Sequence, residues 1–266
     1  MYSQEHLKYL KKIKKNKYLV FSLQMFIFIT FIIIWQLLAN YNLINTFIMS
    51  SPNNILKTIT NLHQTNNLYQ HIFTTIYETM ISFILGTLIG IFIATIFWWN
   101  KFLAKVFEPY LVILNSLPKV ALGPIIIIWA GAKTSSIIIM ALLISTIITI
   151  INVLNGFNDT NSNKIKLMKS LGATKYQIFF KLVLPSSFNN IISALKINVS
   201  MSLIGIITGE FLVSKKGIGY LIMYGSQVFN LDLVITGIMI LAIVSSIMYY
   251  LVYYIEKRII NNKPSN

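Results

Sequence analysis

Six stretches of about 20 apolar residues each constrain the fold of this chain more than any other feature. They cover residues 19–40, 76–98, 109–131, 135–157, 187–209 and 233–255. An α-helix rises 1.5 Å per residue, so a stretch of this length spans the roughly 30 Å hydrocarbon core of a bilayer. Helices are expected because backbone groups in lipid must be hydrogen-bonded within their own segment, and the stretches lack the alternation of barrel strands. The sequence therefore predicts an all-α, polytopic membrane protein with about six transmembrane helices.

The composition supports a lipid environment. Charged residues make up 11% of the chain and hydrophobic residues 56%, whereas a soluble domain carries about 25% charged residues. A soluble protein would have no place for so many apolar side chains, because its surface must face water. The chain has no cysteine and three scattered histidines, so we expect neither a disulfide, nor a metal site, nor a thiol nucleophile.

The basic residues predict the orientation. The chain holds 22 Lys and Arg against seven Asp and Glu. If both termini are cytoplasmic, 16 of the basic residues lie in cytoplasmic segments and four in outer segments, as the positive-inside rule requires. The same rule accounts for the positive charge without a nucleic-acid partner. We expect a basic cytoplasmic tail at 1–18, a single membrane domain at 19–260 with a long cytoplasmic loop at 158–186, and a C-terminal tail at 261–266.

The loop at 158–186 has a pattern of its own. Apolar residues recur at helical spacing from Lys164 to Pro185 and are interrupted by Gly172. Glycine costs about 1 kcal/mol inside a helix and tolerates left-handed dihedral angles. The pattern predicts a short helix, a turn at Gly172 and a second helix that stops at Pro185, where the fifth span begins. Such a segment either lies on an anionic membrane surface or docks in a groove of a soluble partner, and the pattern alone leaves both open.

Four motifs, in this order along the chain, resemble those of binding-protein-dependent ABC importer permeases, a family of type I importer transmembrane subunits. They are Ser51-Pro52-Asn53, the NSLPKVALGP segment at 115–124, the pair Gly172-Ala173 with Leu184-Pro185 downstream, and the TGEFLVSKKGIGYL segment at 208–221. The third resembles the family's cytoplasmic coupling helix between spans four and five, although Lys166, Leu167 and Met168 stand where the family has Glu-Ala-Ala. The chain is most similar to the subgroup for nitrate, sulfonate and taurine, with its relatives for thiamine-precursor pyrimidines and riboflavin.

The resemblance implies a permease subunit of an ATP-binding-cassette importer in the cell membrane, N-in and C-in, that forms a path for a small organic or anionic solute. It implies two ATPase subunits that carry ATP with magnesium, a second permease subunit (expected as a homodimer), an extracytoplasmic substrate-binding protein, and contact with membrane lipid. We expect no cofactor and no catalytic residue on this chain. A Walker A motif is missing from it, since the nearest segment, Gly131–Thr134, has Ala where Gly is required.

Two groups of site residues follow from the resemblance and the charges. The expected ATPase-coupling residues are Lys166, Met168, Lys169, Ser170, Leu171, Gly172, Ala173, Gln177, Leu184 and Pro185. The expected path residues are Pro118, Lys119, Pro124, Lys196 and Glu210. An ionisable residue costs about 2.5–3.5 kcal/mol at mid-bilayer, so it should face protein or water, and prolines break helices in transporters. The spacing of Gly86 and Gly90 predicts close helix packing instead.

Two other functions were weighed. An ion-coupled secondary transporter would need paired intramembrane acids, and the spans offer little beyond Glu210. An integral membrane enzyme would need clustered catalytic groups, but no two of the seven acids lie close together within one predicted span.

Overall fold

The computed structural model describes residues 4–65 and 67–261, and within these ranges the regular structure is entirely helical. The long helices are α1 (Gln4–Asn40), α4 (Asn67–Trp99), α7 (Thr134–Asn158), α11 (Phe188–Val213) and α13 (Leu231–Asn261). The shorter ones are α2 (Thr46–Met49), α3 (Pro52–Gln64), α5 (Lys101–Ser116), α6 (Gly123–Ala130), α8 (Ser162–Ser170), α9 (Lys175–Ile178), α10 (Leu184–Ser186) and α12 (Ile218–Gln227). Most of the predicted C-terminal tail, 262–266, lies outside the described residues.

Within the described residues, five helices are long and apolar enough to cross a membrane, and the bent pair of α5 and Lys119–Ala130 makes six if it forms one crossing. This confirms the predicted number of spans. If the pair returned to its own side instead, the basic loop at 158–186 would lie outside the cell, against the positive-inside rule. We therefore treat the pair as one crossing, which keeps both termini in the cytoplasm.

The third span is the one whose predicted form is wrong. The sequence predicted a span at 109–131, but α5 begins at Lys101 and the link to α4 is Asn100 alone. The Asn100 side chain caps α5 by accepting the backbone N–H groups of Phe102 and Leu103 at 3.0 and 3.2 Å. The helix then bends by 89° at Pro118. Proline lacks the N–H donor and pushes Leu117 into an extended conformation, so the helix ends there.

Two short helices, α2 and α3, follow the first span on its outer side. Ser51 caps α3 by accepting the backbone N–H of Asn54 at 3.2 Å, and Pro52 occupies the first turn, where its missing donor is harmless. The neighbouring Ser50 hydroxyl donates to Asp232 Oδ1 at 2.5 Å and ties this segment to the start of α13. The Ser-Pro-Asn motif is therefore a helix start held against the last span.

Close packing of α4 on α7 depends on the two predicted glycines. A Cβ added at Gly86 would lie 2.6 Å from Ser145 Oγ, and one at Gly90 would lie 2.6 Å from Thr149 Cγ2. Both distances are too short for real contacts, so only glycine allows this approach. The packing role expected for Gly86 and Gly90 is confirmed.

The other side of α7 packs on α11 through a second glycine pair. A Cβ at Gly205 would overlap the Ala141 backbone, and one at Gly209 would lie 3.0 Å from the Ile137 Cα. α7 is thus the middle helix of a three-helix core, in which backbones approach closely through small residues on both sides. In contrast, the most apolar window of α1 buries no residue against the rest of the chain, so α1 lies at the periphery.

Candidate functional site

The turn between the two loop helices has the geometry expected at Gly172. Gly172 adopts a φ of +78°, and the Ala173 N–H donates to the Met168 carbonyl at 2.9 Å. The Gly172 N–H donates to the Lys169 carbonyl at 3.0 Å, which completes a Schellman motif at the end of α8. The predicted Gly172 turn is confirmed, and its cause is the left-handed backbone that glycine adopts without strain.

The second loop helix starts with a capping box. The Gln177 N–H donates to Thr174 Oγ1 at 3.3 Å, and the Thr174 N–H donates to Gln177 Oε1 at 2.8 Å. α9 continues through a π turn at Phe179–Val183 into α10. The helix therefore runs one residue past Pro185, the predicted stop, because a proline in the first turn of α10 needs no donor.

One face of this loop is buried against the membrane helices. Ile178, Phe179 and Val183 pack with Val153 and Phe157 of α7 in a hydrophobic cluster. The cluster also contains Ala94 and Ala194, from α4 and α11. Of the predicted coupling residues, Met168, Ala173 and Leu184 pack against the same cluster. These side chains hold the loop to the three-helix core.

The opposite face is free and apolar. It exposes Leu167, Leu171, Tyr176 and Phe180, which we call the coupling patch. Leu171 is 77% exposed, and the predicted residues Lys166, Lys169 and Ser170 surround it as exposed side chains. Large apolar side chains grouped on an exposed surface mark a binding site for another macromolecule.

Three members of the coupling patch were absent from the predicted site. Leu167 and Leu171 stand four residues apart, as do Tyr176 and Phe180, and residues four apart share one helix face. That spacing was available in the sequence. The structure adds that these two pairs are exposed, whereas Ile178 and Val183, on the other face of the second helix, are buried.

Three of the predicted path residues lie together at the break between α5 and α6. Pro118 and Pro124 are exposed, and Lys119 is half-buried. Lys119 Nζ donates to the Asn115 carbonyl at 2.8 Å, which places a positive charge on the C-terminal end of α5. α5 contributes no buried residue to this chain, so its surface is available to a partner or to a path.

Lys196 lies elsewhere and has a partner. Its Nζ lies 2.9 Å from Glu256 Oε2 and 3.0 Å from Oε1, so the ion pair joins α11 to the cytoplasmic end of α13. Both side chains are largely buried. Removing one member of such a pair leaves the other charge unpaired, which is the costly outcome.

The last predicted path residue, Glu210, is 1% exposed and caps a neighbouring helix. Its Oε1 accepts from Thr75 Oγ1 at 2.7 Å, and its Oε2 accepts the Gly219 N–H at 2.6 Å. The carboxylate therefore neutralises the N-terminal end of α12. A Cβ at Gly217 or Gly219 would overlap this side chain, which explains both glycines of the Gly-x-Gly-Tyr motif.

α4 completes this polar cluster. His71 Nδ1 accepts the Gly217 N–H at 3.0 Å, and Thr75 Oγ1 accepts the Ile218 N–H at 2.8 Å. Glu78, one turn along α4 from Thr75, is also buried. The cluster fixes the outer turn at 214–217 to α4 and α11.

Replacing Glu210 by Ala should therefore loosen the outer turn. Leaving the Thr75 and Gly219 donors without an acceptor costs about 1–3 kcal/mol, so opening of the turn becomes roughly tenfold more frequent. The exposed Lys215 and Lys216 lie in this turn, and trypsin cleavage there in the detergent-solubilised chain, followed by mass spectrometry, measures the opening. Thr208→Ala is the control, because the Thr208 hydroxyl bonds within its own helix. Equal cleavage rates would show that Glu210 does not hold the turn.

Comparison with known proteins adds a family and relatives. The family described as "Binding-protein-dependent transport system inner membrane component" matches residues 86–261. A probable ABC transporter permease protein of Haemophilus influenzae is 26% identical over 229 residues, which are 86% of this chain and 93% of the relative. A formylaminopyrimidine transport permease protein of Halalkalibacterium halodurans is 26% identical over 193 residues, which are 73% of this chain and 76% of the relative.

Solved structures share the fold. A chain of the methionine ABC transporter in an inward-facing conformation superposes with a TM-score of 0.63 at 18% identity, over 74% of this chain and 96% of that one. A chain of a bacterial ABC transporter for the acidic polysaccharide alginate gives a TM-score of 0.64 at 16% identity, over 94% and 99%.

Proposed function

Because this chain belongs to the family of binding-protein-dependent transport system inner membrane components, we propose that its loop at 158–186 docks on a separate ATPase through the coupling patch. The chain is a multi-pass permease subunit of an ABC importer in the cell membrane. The observation that supports the proposal is the division of the loop into a buried face and a free apolar face. A loop resting on lipid would place its one apolar face toward the membrane, whereas this loop already buries one apolar face against the membrane helices and exposes a second.

The buried face explains how a movement of the ATPase reaches the membrane. Phe179 contacts the rings of Trp98, Trp99 and Phe157 at centroid distances of 4.8, 5.6 and 5.4 Å. Packed aromatic rings transmit displacement because protein interiors are dense and hardly compressible. A displacement of the coupling patch is therefore passed to α4 and α7, and ATP hydrolysis on the partner alternates the helices between inward-facing and outward-facing arrangements.

The family supports an ATPase partner and a substrate-binding protein. We propose two ATPase subunits that hold ATP with magnesium, a second copy of this permease, and a substrate-binding protein outside the cell. The described part of α5 has no buried residue, which fits a surface that the second permease subunit covers. The segments 1–18 and 261–266 remain the proposed cytoplasmic tails of a single membrane domain at 19–260.

The substrate class is a small organic or anionic solute. Relatives include a permease for aliphatic sulfonates and one for taurine, besides the formylaminopyrimidine permease. We place the path at the break that contains Pro118, Lys119 and Pro124, where exposed backbone and one lysine are available. Lys196 and Glu210 already bind partners within the chain, so their part in the path is to hold its walls.

Uptake by reconstituted vesicles tests the function. Vesicles that contain this chain, its ATPase and its binding protein should accumulate taurine, an alkanesulfonate or a formylaminopyrimidine only when ATP is supplied on the ATPase side. A non-hydrolysable ATP analogue is the matched control and should support no accumulation. Uptake driven by a proton or sodium gradient without ATP would favour the secondary transporter instead.

A further inference from the structure

We propose that a cavity between the coupling loop and the membrane helices binds the phosphate group of an anionic phospholipid. The cavity has a volume of about 440 Å³ and lies beneath the cytoplasmic ends of α4 and α7. Its lining includes Trp98, Lys101, Asn158, Ser162, Lys169 and Lys175. Lys169 and Ala173, two of the predicted coupling residues, line this cavity, whereas the four residues of the coupling patch do not.

The lining is positively charged. Lys101, Lys169 and Lys175 face the cavity, and no Asp or Glu stands among its lining residues in the described ranges. Lys101 and Lys169 have no hydrogen-bond or ion-pair partner in the part of the chain that the structure describes. The positive charges around the cavity repel one another, and a bound anion would offset this repulsion by attracting each of them. The cavity is therefore complementary to a negatively charged group.

The third lysine, Lys175, is held in place by contacts with the end of α4. Lys175 Nζ donates to the Trp99 carbonyl, at the end of α4, and lies 5.8 Å from the ring centroids of both Trp98 and Trp99. Its ammonium group thus reaches the cavity from a fixed position. Asn158 and Ser162 supply uncharged donors on the same lining.

The depth of the cavity identifies the source of the anion. Tryptophans collect at the membrane–water interface, and Trp98 and Trp99 end α4 on the cytoplasmic side. Lipid phosphates lie at this level, and basic pockets between transmembrane helices on this side bind anionic head groups. A soluble phosphate would have to reach the same place from the cytoplasm and has no apolar part to bury.

An adjoining groove offers space for an acyl chain. It measures about 370 Å³ and shares Trp98, Lys101 and Asn158 with the cavity. Its apolar walls are Phe97, Leu111, Val112, Ile151 and Leu154, and Lys105 and Glu108 line its other part. A phospholipid with its head group at the three lysines therefore has space for an acyl chain between α5 and α7. Because Lys101 belongs to α5 and the other two lysines to the loop, the lipid would bridge the loop to the third span.

Native mass spectrometry of the full-length, detergent-solubilised chain tests the site. The probes are dioleoylphosphatidylglycerol, dioleoylphosphatidylcholine and inorganic phosphate. We expect phosphatidylglycerol to bind best, and Lys101→Gln/Lys169→Gln to weaken its binding about tenfold or more. Lys12→Gln/Lys181→Gln is the control, since it removes the same charge from exposed cytoplasmic lysines outside the cavity. Lys101→Arg/Lys169→Arg should restore binding.

Equal losses in the cavity variant and the control would overturn the proposal, because the lipid would then respond to net charge alone. Binding of inorganic phosphate that depends on the two lysines, without preference for phosphatidylglycerol, would overturn the assignment to a lipid. The measurement needs neither the ATPase nor transport, so its outcome does not depend on the proposed function.

Discussion

Replacing Leu171 by Asp should separate this chain from its ATPase while leaving it folded in the membrane. Leu171 is 77% exposed and follows the last residue of α8, so the fold does not need its side chain. A buried apolar anchor of an interface is typically worth about 2 kcal/mol or more, which corresponds to roughly thirtyfold weaker binding. A carboxylate adds the cost of desolvating a charge. Co-purification of the ATPase from membranes, together with ATP-driven uptake, measures the effect.

Leu43→Asp is the matched control for this experiment. Leu43 is a leucine of similar exposure on the outer side, and its substitution should leave ATPase co-purification at the level of the unchanged chain. If the Leu171→Asp chain retains the ATPase at normal yield and still imports, the coupling patch is assigned wrongly.

Replacing Gly205 by Leu should strongly destabilise the folded state. A Cβ at Gly205 would overlap the Ala141 Cα and lie 2.9 Å from the Ala141 Cβ. The obstacle is backbone, which cannot move aside as a flexible side chain does, so α7 and α11 must separate. Overpacking of a core typically lowers the free energy of unfolding by about 1–3 kcal/mol. We expect a loss of about 3 kcal/mol or more here, because the contact between α7 and α11 is also lost. Thermal unfolding in detergent and the yield of monodisperse protein report the loss.

Ala242→Leu on the exposed face of α13 provides the comparison. It adds the same side chain to a helix surface that no other part of the described chain covers tightly, and it should unfold near the temperature of the unchanged chain. Similar unfolding temperatures for the two variants would contradict the close approach of α7 and α11 at Gly205.

Local features of this fold were predictable because their causes are local. The span lengths follow from runs of apolar residues, and the Gly172 turn follows from the backbone freedom of one residue. Pro118 and Pro124 predicted either a kink or a break in the third span. The bend angle of 89° depends on the surfaces that α5 and α6 pack against, and a local sequence pattern carries no information about them.

Contacts between distant segments were the part that the sequence could not supply. Lys196 and Glu210 were predicted as path residues because they are ionisable groups within spans. The sequence does not reveal their partners, since Glu256 lies 60 residues from Lys196 and Thr75 lies 135 residues from Glu210. The spacing of Gly205 and Gly209, in contrast, was visible, and the search for small residues four apart that found Gly86 and Gly90 would have found them too.

The π turn at Phe179–Val183 limits how this loop can change in evolution. Each residue of an α-helix turns the chain by about 100°, so adding or deleting one residue there would swing Ser187 and the start of α11 away from Gly156. Substitutions leave that angular relation intact, whereas changes in length do not. The backbone geometry of the loop is therefore inherited through its residue count and not through the identity of its exposed side chains.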